Sequence, residues 1–157
     1  MGKPIAYDED VYLWSVEQAA ALRQAAASGT NLPVDWENVA EEIESVGRSE
    51  LSSVESWLVR VIEHLLKLEY SPASDPRRGW RSSVREHRSR TIRELKASPS
   101  LRGKIDLADV YFDGRDAAAD GLAYDGLSAD VLPDVCPWTL EQLLDRAFLP
   151  TNRHGLE

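Results

Sequence analysis

The stretch 35-DWENVAEEIESVGRSELSSVESWLVRVIEHLLKLEY-70 carries apolar residues at steps of three or four along its whole length. This spacing places them on one face of an α-helix, and Asp35 stands where an N-cap is needed. The phase continues through Gly47, although an internal glycine costs about 1 kcal/mol. One helix over residues 36–70 is therefore predicted, with two helices meeting at Gly47 as the alternative. The predicted core face consists of Val39, Ile43, Val46, Glu50, Val54, Leu58, Val61, Leu65 and Leu68.

Helical periodicity also dominates the rest of the chain, and strand patterns are almost absent. Three further main helices are predicted over about 9–27, 79–97 and 98–122. Asp8 is the expected N-cap of the first of these helices, and Ser98, which precedes Pro99, is the expected N-cap of the last. The last of them is expected to bury Leu101, Ile105, Ala108, Phe112, Ala119 and Leu122. The predicted fold is an all-α antiparallel bundle of four main helices plus a short C-terminal helix.

The local sequence 137-PWTLEQLL-144 predicts the short C-terminal helix. Thr139 is the natural N-cap after Pro137, and Gln142 lies three residues further on, as a capping box requires. The similar stretch 14-WSVEQAA-20 lies inside a longer helical pattern, so its Ser15 is expected in mid-helix. The two stretches therefore share local helix chemistry, and the sequence contains no internal repeat.

Length and composition favour one helical domain of 157 residues in the cytoplasm. No apolar run approaches the roughly 18 residues of a membrane span. The lone Cys136 excludes an intrachain disulfide and is expected to be a structural thiol. Glycine and proline punctuate residues 121–137, which we expect to be a mobile connection, and we expect the tail 150–157 to be loose.

Charge is distributed unevenly along this acidic chain, whose net charge is −9. The segment from Arg77 to Lys96 contains eight basic residues and only two acidic ones. Such a segment meets either a nucleic acid or phosphate, or the acidic helices of the same protein. The excess of acidic residues elsewhere repels polyanions, which favours internal pairing and makes nucleic acid the weaker hypothesis.

Several polar residues fall on or beside predicted apolar faces, where an unpaired charge is costly. Glu50 interrupts the stripe of the long helix, and Arg88 lies on the apolar face of the third helix. We therefore predict a buried arginine–carboxylate network that holds the helices in register, with Glu42, Glu44 or Glu50 as acceptors. Its predicted members are Glu42, Glu44, Glu50, His64, Arg81 and Arg88.

Two ligand-binding alternatives use overlapping residues. Antiparallel hairpins would bring His64, His87 and Asp109 to one level, where two imidazoles and a carboxylate make an open three-ligand metal site. The second alternative is an anion or nucleic-acid surface on the third helix. Its candidate residues are Arg77, Arg78, Arg81 and Arg85.

Five segments resemble a bacterial family known as domain of unknown function 29. They are YDEDVYLWSVEQAAALR (7–23), DWENVAEEIESVGRSE (35–50), HLLKLEYSP (64–72), SPSLR (98–102) and CPWTLEQLLDRAFLP (136–150). The resemblance implies an all-helical cytoplasmic protein with no established activity, catalytic residue or cofactor. It also implies glutamine at the position of His87, so any chemistry of His87 would be particular to this chain.

The leading functional hypothesis is a non-enzymatic interaction or scaffold module with an unknown protein partner, no cofactor and no membrane association. The motifs of common hydrolases, phosphate-binding loops and dinucleotide-binding folds are absent from the sequence. A metal- or small-ligand-binding bundle, hydrolytic in one version, is the first alternative. Assembly of identical chains is left open.

Overall fold

The computed structural model describes residues 2–157, and every regular element within them is helical. The α-helices are α1 (Val11–Ala27), α2 (Trp36–Tyr70), α3 (Arg77–Ala97), α4 (Leu107–Ala123) and α5 (Leu140–Leu144). Two 3₁₀ segments, Pro99–Lys104 and Ala129–Val131, lie between them. The all-α prediction of four long helices and a short C-terminal one is confirmed.

Helix α2 is continuous through Gly47, as the unbroken apolar phase predicts. Its first turn is capped by Asp35, whose Oδ1 accepts a hydrogen bond from the Asn38 N–H at 3.3 Å. A Cβ atom on residue 47 would lie 2.5 Å from the Ser15 Oγ, so the glycine lets α1 approach α2 closely. The conformational cost of this glycine is thus offset by packing rather than relieved by a kink.

The buried face of α2 differs from the predicted stripe near its N-terminus. Val39 and Val46 remain 38% and 39% exposed, so the prediction that they belong to the core is wrong. From Val54 onward the predicted stripe is confirmed, because its apolar members up to Leu68 are buried. Periodicity identifies a helical face, but it does not show how far along the helix other elements cover that face.

The chain groups into two compact units, and the single domain that its length suggests stays a prediction. The first unit comprises the residues up to Ser53 together with Arg93–Lys104, and the second comprises Val54–Ile92 with Ile105–Glu157. Both α2 and α3 contribute residues to each unit. Within each unit the two helices run antiparallel, since Ser98 bonds to Glu50 in one and Arg77 to Leu68 in the other.

In the first unit, polar side chains join the helix ends. Asp10, not the predicted Asp8, is the N-cap of α1 and accepts a hydrogen bond from the Leu13 N–H at 2.8 Å. The same buried carboxylate accepts hydrogen bonds from the Ser100 N–H and hydroxyl at 2.8 and 2.9 Å. A carboxylate that satisfies the helix end and a second segment together is the better cap, so the helix begins at Val11.

In the second unit, α4 packs on α2 through a glycine. A Cβ atom on residue 114 would lie 2.7 Å from the Ile62 Cγ2 and 3.1 Å from the Val59 carbonyl oxygen. This close approach turns Val110 and Tyr111 inward and leaves Phe112 68% exposed. The prediction that Phe112 and Ala108 belong to the core is therefore wrong, because a small residue sets the phase of the buried face.

The predicted helix over residues 98–122 is divided in the structure. A 3₁₀ segment ends at Lys104, and α4 begins afresh at Leu107 with Asp106 as its N-cap. Ser98 does not serve as the predicted side-chain cap. Its hydroxyl accepts a hydrogen bond from the Tyr12 N–H and donates one to Glu50, so it joins α1 to α2 instead.

The C-terminal region combines a confirmed detail with a correction. The Thr139–Gln142 capping box is present in both directions. The tail, however, is not loose at Asn152. This side chain is 5% exposed, and its amide donates hydrogen bonds to the carbonyls of Leu68 and Ser71 at 2.8 and 3.0 Å. These bonds satisfy carbonyls at the end of α2, which a helix cannot satisfy internally.

The connection 121–137 is attached to α4 at Pro133, whose carbonyl accepts hydrogen bonds from the Tyr111 hydroxyl and the Arg115 Nε. Burial raises the pKa of Tyr111 to about 12, so this hydroxyl remains a donor at neutral pH. The expected mobility of the whole connection stays a prediction.

Candidate functional site

Arg88 is the most unusual polar residue of the second unit, because a guanidinium on α3 is only 2% exposed. Its Nε donates a hydrogen bond to the Leu143 carbonyl at 2.7 Å, and its Nη1 donates one to the Phe148 carbonyl at 2.7 Å. Its Nη2 approaches the Gln142 carbonyl at 3.4 Å. Arg88 therefore satisfies carbonyls at the end of α5 and in the loop after it.

An aromatic ring and a carboxylate also lie near Arg88. Its guanidinium carbon lies 6.0 Å from the centre of the Phe148 ring, within cation–π range. Burial lowers the pKa of the Arg88 guanidinium, and the Asp145 carboxylate opposes this shift. An arginine in such surroundings keeps its proton, so the site retains a buried positive charge.

Arg88 is buried, as the sequence predicts, but its hydrogen-bond acceptors are not the predicted carboxylates. Glu44 bonds to Arg23 at 2.9 Å, and Glu50 accepts a hydrogen bond from Ser98 at 2.7 Å. Glu42 is exposed. Backbone carbonyls replace the carboxylates because they already lie at the end of α5 and need donors.

A cavity of about 230 Å³ opens beside Arg88. Its lining residues come from α3 and the segment after α5 and are Arg81, Val84, Arg85, Arg88, Arg146 and Leu149. A second cavity of about 200 Å³ is lined by three of the same residues, Arg85, Arg88 and Arg146. We call the two cavities together the arginine pocket.

The arginine pocket presents positive charge without a lining carboxylate. Four guanidinium groups line it, and no aspartate or glutamate does. Arg81, Arg85 and Arg146 are exposed, and within residues 2–157 none of these three forms an ion pair or a side-chain hydrogen bond. Their donors are therefore directed to solvent or to a ligand, in a protein whose net charge is −9.

The predicted anion-binding arginines divide between the pocket and other positions. Arg81 and Arg85 line it, whereas Arg78 is exposed elsewhere on α3. Arg77 is 5% exposed and donates hydrogen bonds to the Leu68 carbonyl at 2.9 Å and the Glu157 carbonyl at 3.2 Å. Arg77 is thus already bound to backbone and does not face a ligand.

Arg146 is the pocket residue that sequence reasoning missed. It lies 58 positions beyond Arg88, in a loop, and no local pattern links the two. The available signal was the capping box at Thr139, which places a helix end shortly before Arg146. The carbonyls of that helix end attract Arg88, and this attachment brings Arg146 to α3.

The three residues of the predicted metal site are not assembled into one. His64 Nδ1 lies 2.8 Å from the Arg60 carbonyl, and His87 Nδ1 lies 2.8 Å from the Ser83 carbonyl. Asp109 is exposed in the first turn of α4. Across residues 2–157, no group of three or more histidine, cysteine, aspartate or glutamate side chains is arranged to hold a metal ion.

Electrostatics keep the His64 imidazole neutral. Burial lowers the pKa of His64, and the neighbouring Glu63 carboxylate partly opposes this shift. Burial would raise the pKa of Glu63, but hydrogen bonds from Lys67 and Arg60 outweigh it and lower that pKa. The result is a neutral imidazole beside a carboxylate already paired with two cations, which is a structural arrangement.

Cys136 agrees with the expected structural thiol. Its Sγ donates a hydrogen bond to the Trp138 carbonyl at 3.3 Å. Burial raises the pKa of the Cys136 thiol, which disfavours the thiolate that nucleophilic chemistry requires.

Fold and site together define an all-α protein with a cationic, arginine-lined pocket. Residues 6–149 match the family described as Domain of unknown function DUF29, and the chain belongs to that family. It is also similar to an alpha-helical protein of unknown function from Rhodospirillum rubrum, whose crystal structure shares 26% identity over 93% of both chains with a TM-score of 0.81. No curated protein matches the chain. In residues 2–157 no helix combines the length and apolarity needed to cross a bilayer.

Proposed function

We propose that the protein is a non-enzymatic binding module that recognises an anionic group in the arginine pocket. The observation that carries this proposal is a concave site lined by four arginines and no carboxylate. Three of those arginines have no internal partner among residues 2–157. The proposal combines two hypotheses from the sequence, an interaction module and an anion-binding third helix.

Guanidinium chemistry favours phosphate or carboxylate as the bound group. Each guanidinium is a planar fork of N–H donors that matches two oxygens at once. Like charges gathered at one place repel each other, and a bound anion relieves that repulsion. The acidic balance of the rest of the chain repels extended polyanions, so a compact anion suits the pocket better than a nucleic acid.

The pocket is held open by contacts that do not involve the ligand. Arg88 uses its donors on the carbonyls of Leu143 and Phe148, which positions the segment that carries Arg146 and Leu149. Arg81 and Arg85 extend from α3, a regular helix. The backbone that carries the pocket arginines is therefore fixed before a ligand binds, and only their exposed side chains become ordered on binding.

The test is calorimetric titration of orthophosphate at constant ionic strength, beside the variants Arg85→Gln and Arg146→Gln. The matched control is Arg78→Gln, an exposed α3 arginine outside the pocket. We expect each pocket variant to weaken binding about tenfold, because each removes a charge-assisted hydrogen bond, while the control binds like the parent. An equal effect of all three variants, or no binding by the parent, would overturn the proposal.

A second titration, with an acidic peptide that contains consecutive glutamates, tests whether the anionic group belongs to a protein or to a small molecule. Binding of the peptide with the same dependence on Arg85 and Arg146 would identify a protein partner as the source. Binding of orthophosphate alone would identify a small molecule.

A further inference from the structure

The arginine pocket is not one cavity but two, and this division bears on the ligand. The larger cavity has a volume of about 230 Å³ and the smaller about 200 Å³. Since one water occupies roughly 30 Å³, each has room for several water-sized groups and can accept a phosphate-sized anion. Arg85, Arg88 and Arg146 line both, so they lie where the cavities meet.

The two cavities differ in what else lines them. The smaller is lined by the three shared arginines alone. The larger adds one more cation, Arg81, and two apolar side chains, Val84 and Leu149. The smaller cavity is therefore lined by three arginine side chains, and the larger one has a fourth arginine beside two aliphatic side chains. A ligand that fills both ends is anionic at one end and has a second anionic group beside an apolar or organic portion at the other.

The charges of the pocket agree with a ligand that carries more than one negative charge. Arg81, Arg85 and Arg146 are three cations without carboxylate partners, and Arg88 adds a fourth charge that is bound to backbone carbonyls through its Nε, Nη1 and Nη2. A single monoanion would leave most of this charge uncompensated. Two adjacent phosphates present enough oxygens and charge for the three available guanidinium groups at once.

We propose that the arginine pocket binds a diphosphate group, with one phosphate in each cavity. The inference rests on the proposed function, because it names the anion that the same site takes. The terminal phosphate lies in the smaller cavity, and the phosphate nearer an organic body lies in the larger one beside Arg81. The shared Arg85 and Arg146 contact both phosphates.

The experiment compares orthophosphate with pyrophosphate by calorimetric titration of the full chain at constant ionic strength. We expect pyrophosphate to bind at least about tenfold more tightly, since the second phosphate gains a charge-assisted hydrogen bond from Arg81. The variant Arg81→Gln should lower the affinity for pyrophosphate about tenfold more than it lowers the affinity for orthophosphate. Arg81 is exposed, and unchanged thermal unfolding of this variant checks that its fold is intact.

The outcomes separate this inference from the proposed function. Equal affinity for the two anions, or equal losses in Arg81→Gln, overturns the diphosphate while leaving anion binding in place. Binding of neither anion overturns both.

A nucleoside diphosphate and an isoprenoid diphosphate are further arms of the same titration. Tighter binding of either than of pyrophosphate supports an organic body beside Val84 and Leu149. Weaker binding of both compounds would overturn the organic body beside Val84 and Leu149 and would leave free pyrophosphate as the ligand.

Discussion

Two groups of arginines in this molecule meet opposite electrostatic environments. In the first unit, Arg23 and Arg48 face the carboxylates of Glu37, Glu41 and Glu44, with Arg23 3.0 Å from Glu37 and 2.9 Å from Glu44. In the second unit, the four arginines of the arginine pocket face no carboxylate in its lining. The first group is neutralised by its own chain, whereas the second requires solvent or a ligand.

The pKa shifts express the same difference. The hydrogen bonds that Arg23 donates to Glu37 and Glu44 raise the pKa of Arg23, whereas burial lowers the pKa of Arg88. One arginine gains stabilisation from anions of the protein. The other donates its hydrogen bonds to backbone carbonyls instead of carboxylates, and its exposed neighbours in the pocket form no such bonds among residues 2–157. The comparison teaches that an arginine-rich helix cannot be interpreted from its own charge, because the partners lie on other elements.

The largest expected effect is on stability, from the variant Arg88→Ala. It strands the carbonyls of Leu143 and Phe148 in a buried region and should lower the free energy of unfolding by about 3 kcal/mol. The measurement is urea unfolding, with Arg23→Ala as the matched control from the other group. Arg23 forms exposed ion pairs that are screened by solvent, so its variant should shift the midpoint far less. Equal shifts in the two variants would show that burial of Arg88 contributes nothing.

The next effect is on binding, from Leu149→Glu. This residue lines the pocket and is 43% exposed, so the variant places a carboxylate among the arginines and should fold normally. It converts the arginine pocket into a self-neutralised group like that of the first unit. Affinity for orthophosphate should fall at least about tenfold in calorimetric titration, or about 1.4 kcal/mol. The control is Leu149→Gln, which has similar size and no charge and should retain most of the affinity. Unchanged binding in Leu149→Glu would contradict the assignment of the site.

The smallest effect concerns a carboxylate of the first unit, Glu50. Burial raises the pKa of Glu50, which also hydrogen-bonds Ser98 and lies near Glu94 and Asp10. Because the folded pKa lies above the ordinary glutamate value of 4.5, the folded state binds the proton more tightly than the unfolded state. The contribution of this group to stability is therefore most favourable below pH 4.5, declines as pH rises through the folded pKa, and stays low above it.

The variant Glu50→Gln removes this charge while keeping an acceptor for Ser98. It should raise the free energy of unfolding at pH 7 by up to about 1 kcal/mol, a value already reduced for solvent screening, and change it little at pH 4. Urea unfolding at both pH values measures the difference. Glu42→Gln is the control, since Glu42 is exposed, and it should change stability at neither pH. A loss of stability in Glu50→Gln at pH 7 would contradict the raised pKa.

Local chemistry accounts for the parts of the fold that were predicted correctly. The Asp35 cap, the continuous α2 and the Thr139–Gln142 capping box depend on residues within a few positions of each other. Such interactions are encoded by spacing, so a sequence reveals them directly. The burial of Arg88 was likewise readable, because its position on an apolar helical face is a local property.

The predictions from sequence were wrong where a contact with a distant segment decides between two locally possible structures. Asp8 and Asp10 are both possible caps, and the contact of Asp10 with Ser100 decides between them. Phe112 looks like a core residue, but the close approach of Ile62 to Gly114 turns it outward. In both cases the local energies differ by about 1 kcal/mol or less, so one tertiary contact is enough to decide.

The amino-acid pattern alone thus established the helical class, the length of α2, the excess of charge on α3 and the presence of a buried arginine. The tertiary structure supplied the acceptors of that arginine and brought Arg146 beside Arg85. A pocket made by residues about 60 positions apart depends on which segment satisfies the carbonyls at the end of α5. Sequence periodicity does not show which segment satisfies those carbonyls. Hydrogen bonds and charges act through space at a few ångströms, whatever the separation of the residues in sequence.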